Sequence, residues 1–142
     1  MQYESFARYS VSTSLLLFDL DNLKQINDTY GHHTGDQAII TVANTCRTQL
    51  RKIDSAYRLG GDEFVIALPN TELQEAVKFA DRLRECFNAA LSQFHIEGQA
   101  ATVSIGVSTI LLTDKSYEAA LKRADRALYK AKRSGKNKVV SD

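Results

Sequence analysis

The doubled glycine at Gly60 and Gly61 divides residues 56–68 (AYRLGGDEFVIAL) into two short apolar halves. Adjacent glycines between runs of this length favour a tight reversal, so the halves read as the strands of a hairpin. A lone hairpin is marginal in water and needs partners for its faces. The glycines carry two readings that spacing does not separate. As a simple turn they supply positive φ; as a functional turn they also leave room for a phosphate or a base against the backbone.

The remaining pattern supplies the partners. Residues 14–18 (SLLLF) form an apolar run ending at Asp19, the pattern of a buried strand. Over residues 37–53, Ala38, Val42, Cys46, Leu50 and Ile53 recur at helical spacing. Thr71-Glu72-Leu73-Gln74 has capping-box spacing and opens a helix carrying Leu73, Val77, Ala80, Leu83, Phe87 and Leu91. Residues 102–107 alternate, with Val103, Ile105 and Val107 on one face, as in a half-buried strand. Residues 116–133 are helical through Tyr117, Leu121, Ala124, Leu128 and Ala131, stopping before Gly135, and Val139-Val140 adds an edge strand. The order βααββαβαβ predicts an α+β domain, a mostly antiparallel central sheet of about five strands flanked by helices.

The 142 residues suit one domain, and a net charge of +1 gives no global field to draw in DNA or an anionic membrane. A polyanion must be held by a local cluster or a metal. Cys46 and Cys86 lie in helix-like text with no His or Cys at ligand spacing. This points to a reducing cytoplasm rather than a disulfide framework or a zinc site. No apolar run approaches the roughly 20 residues of a membrane span, and MQYESFARYS lacks the apolar stretch of a signal peptide. The expectation is a soluble cytoplasmic domain, with a membrane tether still open to a longer parent chain.

Asp19 and Asp21 follow the first strand, and Asp62-Glu63 follow the double glycine. Singly, each reads as an ordinary turn acid. Jointly they read otherwise, because a carboxylate leaving a buried strand costs solvation energy unless it is paired or bound to a cation. Where the two strands are neighbours, Asp19 and Asp62 converge. Two carboxylates sharing a hard cation are how proteins hold Mg²⁺ beside a nucleotide phosphate.

Arg58-Leu59-Gly60-Gly61-Asp62-Glu63-Phe64 resembles the signature of the GGDEF family of diguanylate cyclase domains. Residues 19–36 (DLDNLKQINDTYGHHTGD) resemble that family's other block through Asp19, Asp21, Lys24, Asn27, Asp28, Gly31, His32, Gly35 and Asp36. Ser104-Ile105-Gly106-Val107 is similar to its later strand, and Ala124-Asp125, Ala127-Leu128-Tyr129 and Ala131-Lys132, with Gly135 and Asn137, to its last helix. The resemblance runs from about Leu15 to Val140 in four ordered blocks.

The resemblance implies condensation of two GTP molecules into cyclic di-GMP and two pyrophosphates, with a polymerase-palm-like fold. Asp19, Asp62 and the carbonyl of Leu20 would hold two magnesium ions, with manganese a possible substitute. Asn27 and Asp36 would bond the guanine edge, with His32 close by; a carboxylate accepts from guanine N1–H and N2–H₂ together, which adenine does not offer. The N–H groups of Asn22, Leu23 and Lys24 would receive the terminal phosphates, Gly60 and Gly61 would admit the nucleotide, and Lys132 and Lys136 would neutralise the triphosphate. Asp62 or Glu63 would take the proton of the attacking 3′-hydroxyl, with Asp62 preferred and the choice open. Ring closure needs two domains face to face, hence a homodimer.

Arg51-Lys52-Ile53-Asp54 stands where the family has its RxxD product-inhibition site, with Arg82 completing it. Arginine suits bidentate phosphate contact and stacking on guanine; the plain alternative is a solvated helix end with a local ion pair. Two features depart from the family. The D-x-L-T-x-L-x-N-R segment that usually precedes the first helix is missing, so residues 2–9 read as a shortened remnant and the family's opening as truncated. Lys136 stands where arginine is common.

Other trails are weaker. Ser134-Gly135-Lys136-Asn137 lacks the first glycine and the hydroxyl residue of a phosphate loop. The eight basic residues over 122–138 against the single acid Asp125 read as a solvated helix face and not a nucleic-acid site. His32-His33 point apart on a turn and make no zinc pair. The alternative to an active cyclase is a catalytically silent GGDEF domain acting as a receptor for cyclic di-GMP or GTP.

Overall fold

A strand that reads Leu-Leu-Leu-Phe carries apolar side chains on both faces and must be covered twice. That is how the chain is arranged in its computed structural model, which describes residues 12–142. The element order is β1 (Thr13–Leu20), α1 (Leu23–Tyr30), α2 (His32–Gln49), β2 (Ser55–Arg58), β3 (Glu63–Pro69) and α3 (Leu73–Ala90). A small hairpin follows, β4 (His95–Ile96) and β5 (Gln99–Ala100), then β6 (Val103–Thr109), α4 (Tyr117–Arg133) and β7 (Val139–Ser141). The main sheet runs β2-β3-β1-β6-β7. Its pairs are antiparallel except β6 with β7. The family remnant read over residues 2–9 lies outside the described residues.

β1 is central, and its alternating side chains build two layers of core. Leu16, Phe18 and Leu20 pack with Ile26, Val42, Leu83 and Phe87 of α1, α2 and α3. Phe18 stacks on Phe64 at 5.5 Å and meets Phe87 at 5.4 Å, contacts worth about 1 kcal/mol each beyond their area. Leu15 and Leu17 face the other way, onto Ala120, Ala124 and Leu128 of α4.

This second layer corrects the expectation for β6. Its residues through Ser108 are buried on both faces, not on one. The residues that looked polar, Ser104, Gly106 and Ser108, are small because α4 presses on them: Ser108 Oγ donates to Ala120 O at 2.6 Å. A Cβ at Gly106 would lie 2.1 Å from Ala124 O. Alternation reported residue size here, not exposure.

Two helix boundaries also differ. α2 ends at Gln49 with Leu50 extended, and Ile53 is exposed. Residues 51–54 instead close a turn, in which Asp54 N donates to Arg51 O at 3.0 Å and Arg51 N to Asp54 Oδ2 at 2.8 Å. Local carboxylate bonds of this kind compete with the helix. The capping box at Thr71 does not form. α3 is preceded by Glu72 with no side-chain cap, and the Thr71 hydroxyl is engaged by Pro69 O and Arg51 Nη2. The hairpin β4–β5, absent from the sequence reading, turns on Glu97 and Gly98 at φ 51° and 83°, as a two-residue hairpin turn requires. Cys46 and Cys86 are free, and among the described residues no helix is long and apolar enough to cross a membrane.

Candidate active site

β1 ends where β3 begins, because the two are antiparallel with Asp19 opposite Glu63. Directly opposed residues share a face, so both side chains lie on the α4 side of the sheet, with Asp62 one residue before the strand. Asp62 and Glu63 are half-buried. Lys132, from α4, places Nζ 2.5 Å from Asp19 Oδ1 and 2.7 Å from Asp21 Oδ1. Asp19 Oδ1, buried at the end of β1, thus meets the Lys132 ammonium at ion-pair distance. Burial lifts the Asp19 carboxyl above its usual range; Lys132 opposes this, while the charges of Asp62 and Asp21 add to it. Burial raises Glu63 as well, with the charges of Asp19, Asp125 and Asp62.

Asp21 plays a different part from the other strand-end acids. It is fully buried and accepts from Thr102 Oγ1, Ser104 Oγ and Lys132 Nζ at 2.7 Å each, and from Asn137 N at 3.1 Å. Burial alone would raise its carboxyl; the Lys132 ammonium and the two hydroxyls outweigh that and hold it below the usual value. Burial likewise works against the Lys132 charge, and the two carboxylates more than restore it. Asp21 braces β1 against β6 and α4. Thr102 and Ser104, which complete this knot, were missed in the sequence because more than 80 residues separate them from Asp21.

Beyond β1 the chain turns at Asn22, whose φ of 60° is left-handed, and enters the eight residues of α1 without a side-chain cap. The N–H groups of a helix's first turn have no partner inside the helix, which leaves Asn22, Leu23 and Lys24 facing outward from its positive end. Lys136 Nζ donates to Asn22 Oδ1 at 2.6 Å, bringing a second lysine to this corner. Lys132 and Lys136 thus stand on two sides of the β1–α1 junction, Lys132 already engaged by carboxylates.

Asn27 Oδ1 is buried and has no hydrogen-bond partner, an orphaned acceptor aimed at Gly35, where an added Cβ would lie 1.8 Å away. Gly35 is therefore glycine to admit this side chain. His32 opens α2 and Asp36 follows one turn later, both exposed on the same helix. Gly60 and Gly61 correct the simple-turn reading: neither has φ in the left-handed region, and an added Cβ would meet nothing within 4 Å. Neither backbone strain nor packing within the domain requires glycine there. Arg58 Nε fastens the turn by donating to Gly61 O at 3.0 Å.

A second cluster lies on another part of the surface. Arg51 Nε and Nη2 clamp Asp54 at 2.8–3.1 Å, and Nη2 also donates to Pro69 O at 3.0 Å and Thr71 Oγ1 at 2.9 Å. Arg51, Asp54 and Arg82 line one cleft of about 460 Å³ with Phe79 at its wall. Arg82 lies over the Phe79 ring at 5.9 Å. The three residues grouped from sequence are thus brought together.

A family model described as "Diguanylate cyclase, GGDEF domain" matches residues 2–138. The response regulator PleD of Caulobacter vibrioides is 42% identical over 131 residues, 89% of this chain and 28% of that protein. Diguanylate cyclase DgcM of Escherichia coli is 41% identical over 129 residues, 90% of this chain and 30% of that protein. The chain thus spans under a third of the length of these curated relatives. Among solved structures, the GGDEF domain of DgcB from Caulobacter crescentus in complex with c-di-GMP superposes with a TM-score of 0.90 at 29% identity, covering 99% of this chain and 83% of that one.

Proposed function

Because the chain belongs to the GGDEF family of diguanylate cyclase domains, we propose that it joins two GTP molecules into cyclic di-GMP with release of two pyrophosphates. The observation that carries this reading is the meeting of strand-end carboxylates with two lysines at the start of α1. Triphosphate and hard cation find their counter-charges there within one corner.

Asp19 and Asp62, with the Leu20 carbonyl, are the oxygen donors for a divalent cation. The fit rests on the donor set: Asp19 and Glu63 stand opposite each other across β1 and β3 with Asp62 one residue before the strand, carboxylate oxygens that suit a hard cation. Mg²⁺ or Mn²⁺ held this way takes its remaining ligands from substrate phosphates and water. When bound, the ion neutralises phosphate charge and acidifies the attacking hydroxyl.

The chain's own residues do the rest. The α1 amides and Lys136 receive the terminal phosphates, and Lys132 neutralises charge beside them. Asn27 and Asp36 bond the guanine edge, the Asp36 carboxylate accepting from its N–H groups, with His32 at the rim. The open Gly60-Gly61 turn gives the nucleotide access to the backbone. Asp62 or Glu63 takes the 3′-hydroxyl proton; the oxygen bonds to the α-phosphorus as the bond to pyrophosphate breaks. One domain holds one GTP, so closing the ring requires a second copy facing the first. The Arg51–Asp54–Arg82 cleft binds the product and feeds back on synthesis, its guanidiniums matching phosphate and guanine.

Incubation with GTP and Mg²⁺, resolved by chromatography, tests the reading. Cyclic di-GMP should form at a rate per domain that falls on dilution. Tight binding of cyclic di-GMP without turnover would move the chain to the receptor class, and a rate per domain independent of concentration would remove the dimer.

A further inference from the structure

Three consecutive residues after α4 hold positive φ: Gly135 at 122°, Lys136 at 62° and Asn137 at 48°. The left-handed region is unfavourable for most side chains, and such a run persists only where its surroundings over-determine it. The backbone of this strap is held by Lys136 N donating to Ala131 O at 2.9 Å, and by Asn137 N donating to Asp21 Oδ2 and Ser104 Oγ at 3.1 Å each. Its side chain is held from a different element. Arg84, on α3, donates from Nη1 to Asn137 Oδ1 at 3.0 Å across 53 residues of sequence.

Arg84 is built to do this. Its side chain is 18% exposed and lies in the groove between α3 and β7 with Val77 and Val139. Asp81 orients the guanidinium by accepting from Nε at 3.0 Å. Among the described residues, Arg84 is the one side chain that bonds the side-chain amide of Asn137, while Asp21 and Ser104 hold its backbone N–H. The strap matters because Lys136 hangs from it: the same few residues that bond Asp21 also carry the ammonium to Asn22.

We infer that Arg84 is a positioning residue for the nucleotide site: by gripping Asn137 it fixes the strap so that Lys136 stands where the substrate's phosphates arrive. The identity of the ligand rests on the cyclase reading; the tether itself does not. Arg84 does not line the Arg51–Asp54 cleft, so its effect is separable from product binding there.

The test compares wild type, Arg84→Gln, Arg84→Lys, Asn137→Gly and the Arg84→Gln/Asn137→Gly double variant with GTP and Mg²⁺. Glycine accepts the φ of Asn137, so that change removes only the amide. Arg84→Gln should raise KM for GTP about 5- to 20-fold with kcat within about twofold, the pattern of lost ground-state binding. Arg84→Lys should recover part of this. Asn137→Gly should act in the same direction, and the double variant should be no worse than the worse single one, because both remove one contact. An unchanged KM, a loss confined to kcat, or effects that multiply in the double variant would overturn the proposal. Should Arg84→Gln fail to fold, Asn137→Gly carries the same comparison. If wild type makes no cyclic di-GMP, the cyclase reading fails by itself. The tether is then read by amide exchange at Lys136 and Asn137 and by binding of a non-hydrolysable GTP analogue: faster exchange with weaker binding in Arg84→Gln supports it, and unaltered values overturn it.

Discussion

Lys132 Nζ lies 2.5 Å from Oδ1 of Asp19, so a lysine from α4 already neutralises the carboxylate proposed to bind the metal. Lysine and divalent cation then share one buried oxygen. Removing the lysine leaves Asp19 and the fully buried Asp21 without their ammonium. Lys132→Gln is expected to lower stability by about 3 kcal/mol at neutral pH, the scale for stripping one partner from a buried pair. Added Mg²⁺ should return more of that loss in the variant than it adds to wild type, measured by urea denaturation. Equal stabilisation of both proteins would show that no divalent ion competes with Lys132.

The glycines separate packing from function. At Gly106 a Cβ would lie 2.1 Å from Ala124 O and 2.4 Å from Leu128 N, both backbone atoms of the helix covering the sheet. Gly106→Ala should therefore cost about 3 kcal/mol by forcing α4 off β6. At Gly60 and Gly61 nothing lies within 4 Å and φ is not left-handed, so alanine there should change stability by less than about 0.5 kcal/mol. Cyclic di-GMP synthesis should nonetheless fall at least tenfold in Gly61→Ala. Full activity in that variant would mean that the open turn admits no nucleotide.

Acid stability gives a third handle. Asp114 is held below its ordinary value of 3.8 by the hydrogen bond from Arg123, helped by the Leu111 N–H and opposed by burial. A carboxyl with a lowered folded value binds its proton less tightly folded than unfolded, so its contribution is complete above 3.8 and fades as pH falls through the folded value. Asp114→Asn should cost about 2 kcal/mol at pH 7, where Arg123 loses a charged partner. The gap to wild type should narrow below 3.8. A gap of constant size across that window would assign the loss to packing alone. The acid limb is reduced and not abolished in this variant, because the lowered Asp21 contributes to it too.

What the sequence made legible was local. The runs at β1 and β3, the turn between β2 and β3 and the apolar face of α4 all follow from spacing, and the sheet they form is mostly antiparallel as expected. The misses came from contacts between distant segments. Thr71 looked like a cap until Arg51, 20 residues away, engaged its hydroxyl. Ser104 and Gly106 looked like a solvent face, but the strand is buried on both sides. Asp21 looked like one more strand-end acid and is instead a buried brace. In the candidate site the acids and glycines were visible because their chemistry is concentrated in short blocks. The knot of Asp21, Ser104 and Asn137 was not, since no periodicity links positions 21, 104 and 137.

The RxxD cleft gives a prediction in which stability and regulation diverge. Arg51 serves two ends: it clamps Asp54 and it ties the β3–α3 connection through Pro69 O and Thr71. Its guanidinium is 51% exposed but the Asp54 side chain it clamps is fully buried, so its loss should cost about 3 kcal/mol, the scale for stripping one partner from a buried carboxylate. Arg82 reaches the same cleft with only the Phe79 ring beneath its guanidinium. Arg51→Ala should relieve inhibition by cyclic di-GMP while leaving the initial rate intact, with a clear fall in thermal midpoint. Arg82→Ala should relieve inhibition with no such fall. Initial-rate assays with added product, paired with thermal melts, separate the two. An unchanged inhibition constant in both variants would mean the product binds elsewhere, and the guanidinium clamp on Asp54 would then stand as a brace for the turn after α2.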